Sequence, residues 1–450
     1  MSNHMSDGAN LNITVIGLGY VGLIGSAVLA HLGHQVKGVD IDRNKLQMLQ
    51  SGQPTLLEPG LEELLTTGLE SGSLTFAHVE EVDVGPRDVV MIAVGTPSSV
   101  DGSADLSQVM GAVRWVLDKT WGPTVLIMKS SVPPGTGNYI VGHELSDGRI
   151  GYVSNPEFLR EGRAVHDWLH PDRIVVGAKN PEDADKVESI YSGIDASIVL
   201  TDVTSAEMIK YASNALLVTK ISFINEIAAL CDLLGGHIGD VAHGVGLDPR
   251  LGPDFLKAGL GWGGSCFPKD VRALQALALK NHRSFDLLTA VVSVNQKQRL
   301  LPVQALKEEF GNLDQVPVAV LGLTFKPGTD DLREAPSFDV ISGLLAEGAQ
   351  VRAYDPVAVE AARSTLPRDV SLSTNVRETL EGAQAAVLVT EWPEIVALPW
   401  DQVASWMDMP RYLFDGRNAL DEQVMKDLGF DYRSIGRANL AKEPRYSPSA

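Results

Sequence analysis

Cys266 stands in the run AGLGWGGSCFPKD, so a glycine-rich loop delivers a thiol with Lys269 and Asp270 directly behind it. Glycines let a substrate approach the backbone closely, and a neighbouring cation favours the thiolate, the form that attacks a carbonyl carbon. Spacing alone leaves two readings equally open: a nucleophile, or a loop thiol without a role. Cys231, in EIAALCDLL, reads as a small apolar residue buried along a helix. Two cysteines build no disulfide framework and no paired Cys/His spacing suggests zinc, so a metal-free protein of a reducing compartment is expected.

Other groups capable of chemistry are scattered along the chain. Glu207, Lys210 and Asn214 lie three and four apart in EMIKYASN and share one helical face, a pattern that usually means a solvated, salt-bridged stripe. NPEFLREG carries Glu157 and Glu161 after an expected strand, and KSSVPPGT carries Ser131 at another strand end. The carboxyl ends of parallel strands face the ligand crevice of an α/β sheet, which puts all three where ligands bind. GLTFKPGTDDLREAP sets Lys326 and Arg333 around a Pro-Gly turn before a helix. That suits a diphosphate, and equally a helix start capped by Asp330 and Asp331.

These residues need elements to hold them. From Asn12, NITVIGLGYVGLIGSAVLAHLGHQVKGVDID reads as strand, glycine turn, small-residue helix and strand, a βαβ unit. Gly17, Gly19 and Gly22 form G-x-G-x-x-G between that strand and that helix, the context in which the pattern admits a pyrophosphate at the helix N-terminus. Asp40 closes the second strand, 18 residues beyond Gly22, where an acid accepts hydrogen bonds from a ribose. NAD is therefore expected over NADP, although Arg43 and Lys45 follow closely.

The runs DVVMIAV and TVLIMKS continue the alternation, so a doubly wound sheet is expected to about residue 200. Val203 to Leu234 has apolar residues at three-to-four spacing with no Pro or Gly, which predicts a helix of about 48 Å. A second helical stretch is expected from Ser284 to about Phe310. At Pro317 the alternation restarts in VAVLGL, QVRAYDP, AAVLVTEW and RYLFDGRN. The expected fold class is α/β, with two Rossmann-like doubly wound domains (1–200 and 313–438) joined by a long central helix and helical layer (201–312), and a loose tail at 439–450.

The 450 residues carry 37 basic and 57 acidic side chains, a net charge of -20, with no Lys/Arg-rich run, which argues against nucleic-acid and anionic-membrane partners. Neither a signal-peptide pattern nor a run approaching about 20 apolar residues is present, so a cytoplasmic location is expected.

Taken in order, GLGYVG, SSVPPGT, NPEFLREG, EMIKYASN, GWGGSCFPKD, FKPGTDDLREAP and FDGR resemble the motifs of the UDP-glucose/GDP-mannose dehydrogenase family over nearly the whole chain. The resemblance implies an N-terminal domain that holds NAD, a C-terminal domain that holds a nucleotide diphosphate, and a homo-oligomer with a dimer as its minimal unit. It implies Cys266 as nucleophile, Asp270 as base, Lys210 against the developing oxyanion and Asn214 on the sugar or the water. Glu157 would handle water or protons, and Ser131 stands where many relatives carry threonine. Cofactor contacts are implied at Gly17, Gly19, Tyr20, Val21, Gly22, Asp40, Lys45, Thr96, Ser131, Glu161 and Arg333. Substrate contacts are implied at Glu157, Phe158, Leu159, Lys210, Asn214, Lys257, Gly263, Phe325, Lys326 and Arg417, with Arg250 reaching the substrate of a second subunit. These cations would supply locally the positive charge that the composition lacks.

The motifs look most like the UDP-glucose branch. That implies NAD-dependent, four-electron oxidation of UDP-glucose to UDP-glucuronate through a cysteine thiohemiacetal and thioester. GDP-mannose or a UDP-N-acetyl-hexosamine is the alternative substrate, and a nucleotide-sugar sensor without turnover is the alternative of another class.

Overall fold

The computed structural model describes residues 10–82 and 89–437, and the tail expected at 439–450 lies outside the described residues. The described residues up to Ser213, with Arg272–His282, form one compact unit; Asn214–Val271 and the described residues from Arg283 onward form a second.

The first unit is built on eight strands: β1 (Asn12–Ile16), β2 (Gln35–Asp40), β3 (Leu74–His78), β4 (Val89–Ile92), β5 (Thr124–Met128), β6 (Ile150–Ser154), β7 (Arg173–Ala178) and β8 (Ser197–Thr201), in the order β3-β2-β1-β4-β5-β6-β7-β8. β4 and β5 bury every residue, as strands covered on both faces must. Ile13, Val15, Met91 and Ile127 face one core cluster, while Ile16, Val90, Ile92 and Leu126 face the other. The sheet is not parallel throughout, since β7 runs antiparallel to β6 and parallel to β8. The segment between β6 and β7 carries only the short helix Ala164–Leu169.

The second unit holds β9 (Pro317–Leu321), β10 (Gln350–Tyr354), β11 (Ser371–Leu372), β12 (Ala385–Leu388), β13 (Tyr412–Asp415) and β14 (Asp431–Ser434), in the order β11-β10-β9-β12-β13-β14 and parallel throughout. Both sheets reverse strand order once, between β1 and β4 and between β9 and β12, and ligands bind at such reversals. The two reversals share one construction. Gly17, at φ 91°, donates its N–H to Val39 at 2.8 Å, and Gly322, at φ 90°, donates to Tyr354 at 2.8 Å. The next N–H reaches an acid at the end of the second strand: Leu18 to Asp40 at 2.8 Å, and Leu323 to Asp355 at 2.7 Å.

The long helix spans Val203–Leu234 and ends at Gly235 in the left-handed conformation that glycine adopts without strain. The stretch expected from Ser284 to Phe310 is two helices, Asp286–Arg299 and Leu301–Phe310. Pro302 lacks an N–H and is tolerated only in a first turn, so the second helix starts anew there. Among the described residues, no helix is long and apolar enough to cross a membrane.

The polar face of the long helix is not a solvated stripe, because Glu207, Lys210 and Asn214 are all buried. Glu207 accepts from the N–H groups of Gly135 and Gly137, each at 2.7 Å, and so fastens this helix to the start of the helix Thr136–His143. A Cβ on Gly137 would lie 2.4 Å from Val203 Cγ1, so the approach needs glycine.

Burial pushes the Glu207 carboxyl up to about 7, against the pull of the two backbone donors. A group whose folded pKa is raised lends stability that is full below its ordinary value and lost as pH rises through the folded one. The unfolding free energy of the wild type relative to Glu207→Gln should therefore fall between about pH 4.5 and 7. Denaturant titrations across that range measure it, and a pH-independent difference contradicts the assignment.

Candidate active site

In the first unit the three glycines of the turn after β1 serve three purposes. A Cβ on Gly17 would lie 2.9 Å from the Ala93 carbonyl, and one on Gly22 would lie 1.8 Å from the Gly17 carbonyl. Gly19 has nothing within 4 Å of its Cβ position, so the space at the N-terminus of the helix Tyr20–His31 is open where helical N–H groups receive an anion. Val21 lies half-buried in the first turn of that helix.

Asp40 receives Leu18 N–H at 2.8 Å and Lys45 Nζ at 3.0 Å on Oδ2, and Asp42 N–H at 3.0 Å on Oδ1. Burial pushes its carboxyl up, but these donors together outweigh burial and hold it below the usual carboxylate range. One acceptor site on Oδ1 is left for a ribose hydroxyl. Arg43 is spent on Glu81 and Glu80, at 2.8 and 2.9 Å, rather than turned towards a 2′-phosphate. The open glycine turn and this acid fit NAD. Asp355 accepts from Leu323, Thr324, Val357 and Ala358 N–H and from Trp392 Nε1, which fills its oxygens.

Around the turn, Thr96 Oγ1 donates to the Ser131 carbonyl at 3.0 Å, joining the loops after β4 and β5. The Tyr20 hydroxyl donates to Glu58, which also accepts from Gly162 and Ala164 N–H at 2.8 and 2.6 Å and so secures the loop bearing the half-buried Glu161. Burial, then Glu58, push the Tyr20 hydroxyl far up, so it stays a neutral donor.

Still in the first unit, Lys210 Nζ meets Glu157 Oε1 at 2.8 Å with both side chains buried, and Glu157 Oε2 accepts the Leu159 N–H at 2.7 Å. Burial raises the Glu157 carboxyl, but Lys210, the Leu159 N–H and Lys129 outweigh it and leave it lowered. Phe158 is flanked by cations, with the Arg173 guanidinium 3.8 Å and Lys210 Nζ 5.5 Å from its ring centre. Lys129 completes the group: its Nζ donates to Asn155 Oδ1 and to the Tyr191 hydroxyl, each at 3.0 Å, and sits 4.8 Å from the Trp168 ring. Burial pushes Lys129 down to about 7. One sign of it is present in the sequence, a lysine closing the buried run TVLIM.

In the second unit, Cys266 immediately precedes the helix Phe267–Lys280, and its carbonyl accepts the Asp270 N–H at 3.0 Å. A thiol at a helix N-terminus is in general favoured in its thiolate form. Ser265 Oγ lies 3.6 Å from Cys266 Sγ. Asp270 is buried, with Lys269 Nζ on Oδ1 and Asn214 Nδ2 on Oδ2, each at 2.6 Å.

The loop after β9 packs on the cysteine loop. Gly264, at φ 84°, has the Phe325 ring 2.8 Å from its Cβ position, and a Cβ on Gly263 would lie 2.2 Å from the Glu334 carbonyl. Lys326 Nζ stands 5.5 Å from the Phe325 ring centre. Arg417, after β13, donates to the Val389 carbonyl at 2.6 Å and the Phe325 carbonyl at 3.3 Å. Asp331 pairs with Arg333 at 2.8 Å, and the helix Pro336–Ala346 begins at Ala335 without a side-chain cap, which removes the capped-start reading of Asp330 and Asp331. Arg250, held by Asp248 at 2.6 Å, and Lys257 are exposed and lie apart from these contacts.

A glycine turn at a strand-order reversal, with an acid closing the next strand of a doubly wound sheet, is the build of a dinucleotide-binding oxidoreductase domain. Residues 11–195 match the NAD binding domain of the UDP-glucose/GDP-mannose dehydrogenase family, 204–297 its central domain and 319–422 its UDP binding domain, and the chain belongs to that family. It is 43% identical over 433 residues to a UDP-glucose 6-dehydrogenase of Bacillus subtilis (strain 168), covering 95% of this chain and 98% of that one. It is 41% identical over 437 residues to the UDP-glucose 6-dehydrogenase of Rhizobium meliloti (strain 1021), covering 95% and 100%. A solved UDP-glucose dehydrogenase from the archaeon Pyrobaculum islandicum matches with a TM-score of 0.88 at 37% identity, covering 96% of this chain and 98% of that one. A UDP-D-ManNAc dehydrogenase from Pyrococcus horikoshii matches with a TM-score of 0.84 at 28% identity, covering 95% and 100%.

Proposed function

We propose that this chain is a UDP-glucose 6-dehydrogenase that forms UDP-glucuronate through a thioester on Cys266. The observation that carries the reading is Cys266 at a helix start, with Asp270 buried between Asn214 and Lys269, in a chain about 40% identical to UDP-glucose 6-dehydrogenases.

A primary alcohol becomes a carboxylate by losing two hydrides and gaining one oxygen from water. Bound NAD supplies the acceptor for each hydride. After the first oxidation the Cys266 thiolate adds to the aldehyde carbon, and the electron pair of the carbonyl moves to its oxygen, where Lys210 holds the charge. Loss of the second hydride from that carbon leaves a thioester. Water, deprotonated by Asp270 with Glu157 assisting, adds to the thioester and expels the thiolate.

Asn214, Phe158, Leu159, Gly263 and Arg417 shape the sugar site, while Lys257, Phe325 and Lys326 take the rest of the substrate. The glycine turn with Tyr20 and Val21, Asp40 with Lys45, Thr96, Ser131, Glu161 and Arg333 hold the cofactor. The working unit is a dimer, in which the exposed Arg250 serves the partner's substrate. Leu216, Phe223 and Leu230 support that assembly, since they fall seven apart along the long helix and are 63%, 52% and 50% exposed, an apolar line that a second copy covers.

Wild-type protein should release two NADH per UDP-glucose with no aldehyde trapped by a carbonyl reagent, whereas Cys266→Ala should bind UDP-glucose with nearly no turnover. A product that stops at one NADH, or Cys266→Ala turning over at the wild-type rate, makes the chain a simple alcohol dehydrogenase. Light scattering at assay concentration should give a dimer or larger species, and Phe223→Arg should shift it to smaller species; an active wild-type monomer removes the dimer.

A further inference from the structure

Three polar side chains at the end of the helix Asp286–Arg299 are buried, and each reaches the backbone of the loop leading into Cys266. Asn295 accepts the Trp262 N–H on Oδ1 at 2.8 Å and donates Nδ2 to the Trp262 carbonyl at 3.0 Å, pairing both polar groups of one residue. Gln298 Nε2 donates to the Gly259 carbonyl at 2.8 Å. From the long helix, Asn225 accepts the Gly259 N–H at 2.9 Å and Ser222 accepts Trp262 Nε1 at 3.1 Å. Residues 259–262 are thus held by side chains in place of a helix or a strand.

Arg299 extends the clamp to a second loop. Its Nη2 donates to the Trp262 carbonyl at 2.5 Å and the Glu334 carbonyl at 3.0 Å, while Nη1 meets Asp339 at 2.5 Å. Gly264 N–H donates to the Arg333 carbonyl at 3.0 Å, so the two loops also meet directly. A Cβ on Gly261 would lie 2.2 Å from Asn295 Oδ1, which leaves the clamp no slack. A loop with glycine at 259, 261, 263 and 264 has large conformational freedom unless something external removes it.

We propose that Arg299 is a positioning residue that locks the Cys266 loop and the Phe325–Glu334 loop in one register, with Asn295 fixing the cysteine side of that register alone. The inference rests on Cys266 being the nucleophile. A nucleophile must stand about 3–3.5 Å from the carbon it attacks, and a misplacement of about 1 Å can lower the rate about a hundredfold.

The test uses the full chain carrying Arg299→Lys, which keeps a cation beside Asp339 but loses the fork, and Asn295→Leu. Both should lower kcat about a hundredfold. Only Arg299→Lys should also raise the KM for UDP-glucose, because it alone frees the loop carrying Phe325 and Lys326. Amide hydrogen exchange should speed up in both the 259–264 and the 331–336 segments in Arg299→Lys, in the first alone in Asn295→Leu, and in β9, β12 and β13 in neither. Equal acceleration across the sheet, wild-type kcat in either variant, or the same KM shift in both overturns the clamp. Cys266→Ala with full turnover would refute the nucleophile instead, and the exchange pattern judges the clamp separately from that outcome.

Discussion

A charge survives burial only where an opposite charge or a set of donors meets it, and the contact between Lys210 and Glu157 at 2.8 Å is the case from which the first unit's chemistry follows. It brings the long helix and the loop after β6 to one point. It also sets Phe158 against two cations. Removing either partner strands the other in a low-dielectric site, a loss of about 3–5 kcal/mol for buried pairs. A Lys210 variant therefore loses the packing of this loop along with the charge.

The same rule separates the two sheets, which repeat one construction with different outcomes. Each ends its second strand on an acid that receives an N–H from the glycine turn. Asp355 is filled by its own chain and serves as a structural pin. Asp40 keeps an acceptor site, borders an open turn at Gly19 and takes two backbone N–H groups and Lys45, where Asp355 takes four N–H groups and an indole. A dinucleotide thus suits the first sheet. The second sheet, whose residues 319–422 match a UDP binding domain, ties Arg417 to the loop after its glycine turn through the Phe325 carbonyl.

Features that a local pattern controls were legible in the sequence. The glycine turn, the acid at Asp40 and the helix Val203–Leu234 each follow from residues close together in the chain, and the structure has them where the spacing put them. Features set by distant partners were not. EMIKYASN looked like a solvated stripe because neither Glu157 nor Gly135 and Gly137, the partners of Lys210 and Glu207, is near it in sequence. Nor does the helical stretch expected from Ser284 to about Phe310 say locally that its Asn295, Gln298 and Arg299 hold the cysteine loop. Lys129 closes an apolar strand, but its partners Asn155 and Tyr191 lie 26 and 62 residues away, and only they distinguish it from a strand-end lysine in water. The antiparallel β6–β7 pair likewise had no local sign.

In the proposed mechanism Cys266 carries the substrate covalently and Asp270 helps water release it. Asp270 accepts on each oxygen at 2.6 Å, from Lys269 and Asn214, so Asp270→Asn keeps the side chain's size and removes the carboxylate, and Asn214 must turn its amide to accept from the new Nδ2. Acid quenching of Asp270→Asn during turnover, followed by mass spectrometry of the Cys266 peptide, tests the claim directly. A UDP-glucuronyl thioester on Cys266 is expected, and only when UDP-glucose and NAD are both present. UDP-glucuronate accumulating in that sample with Cys266 unmodified would contradict it.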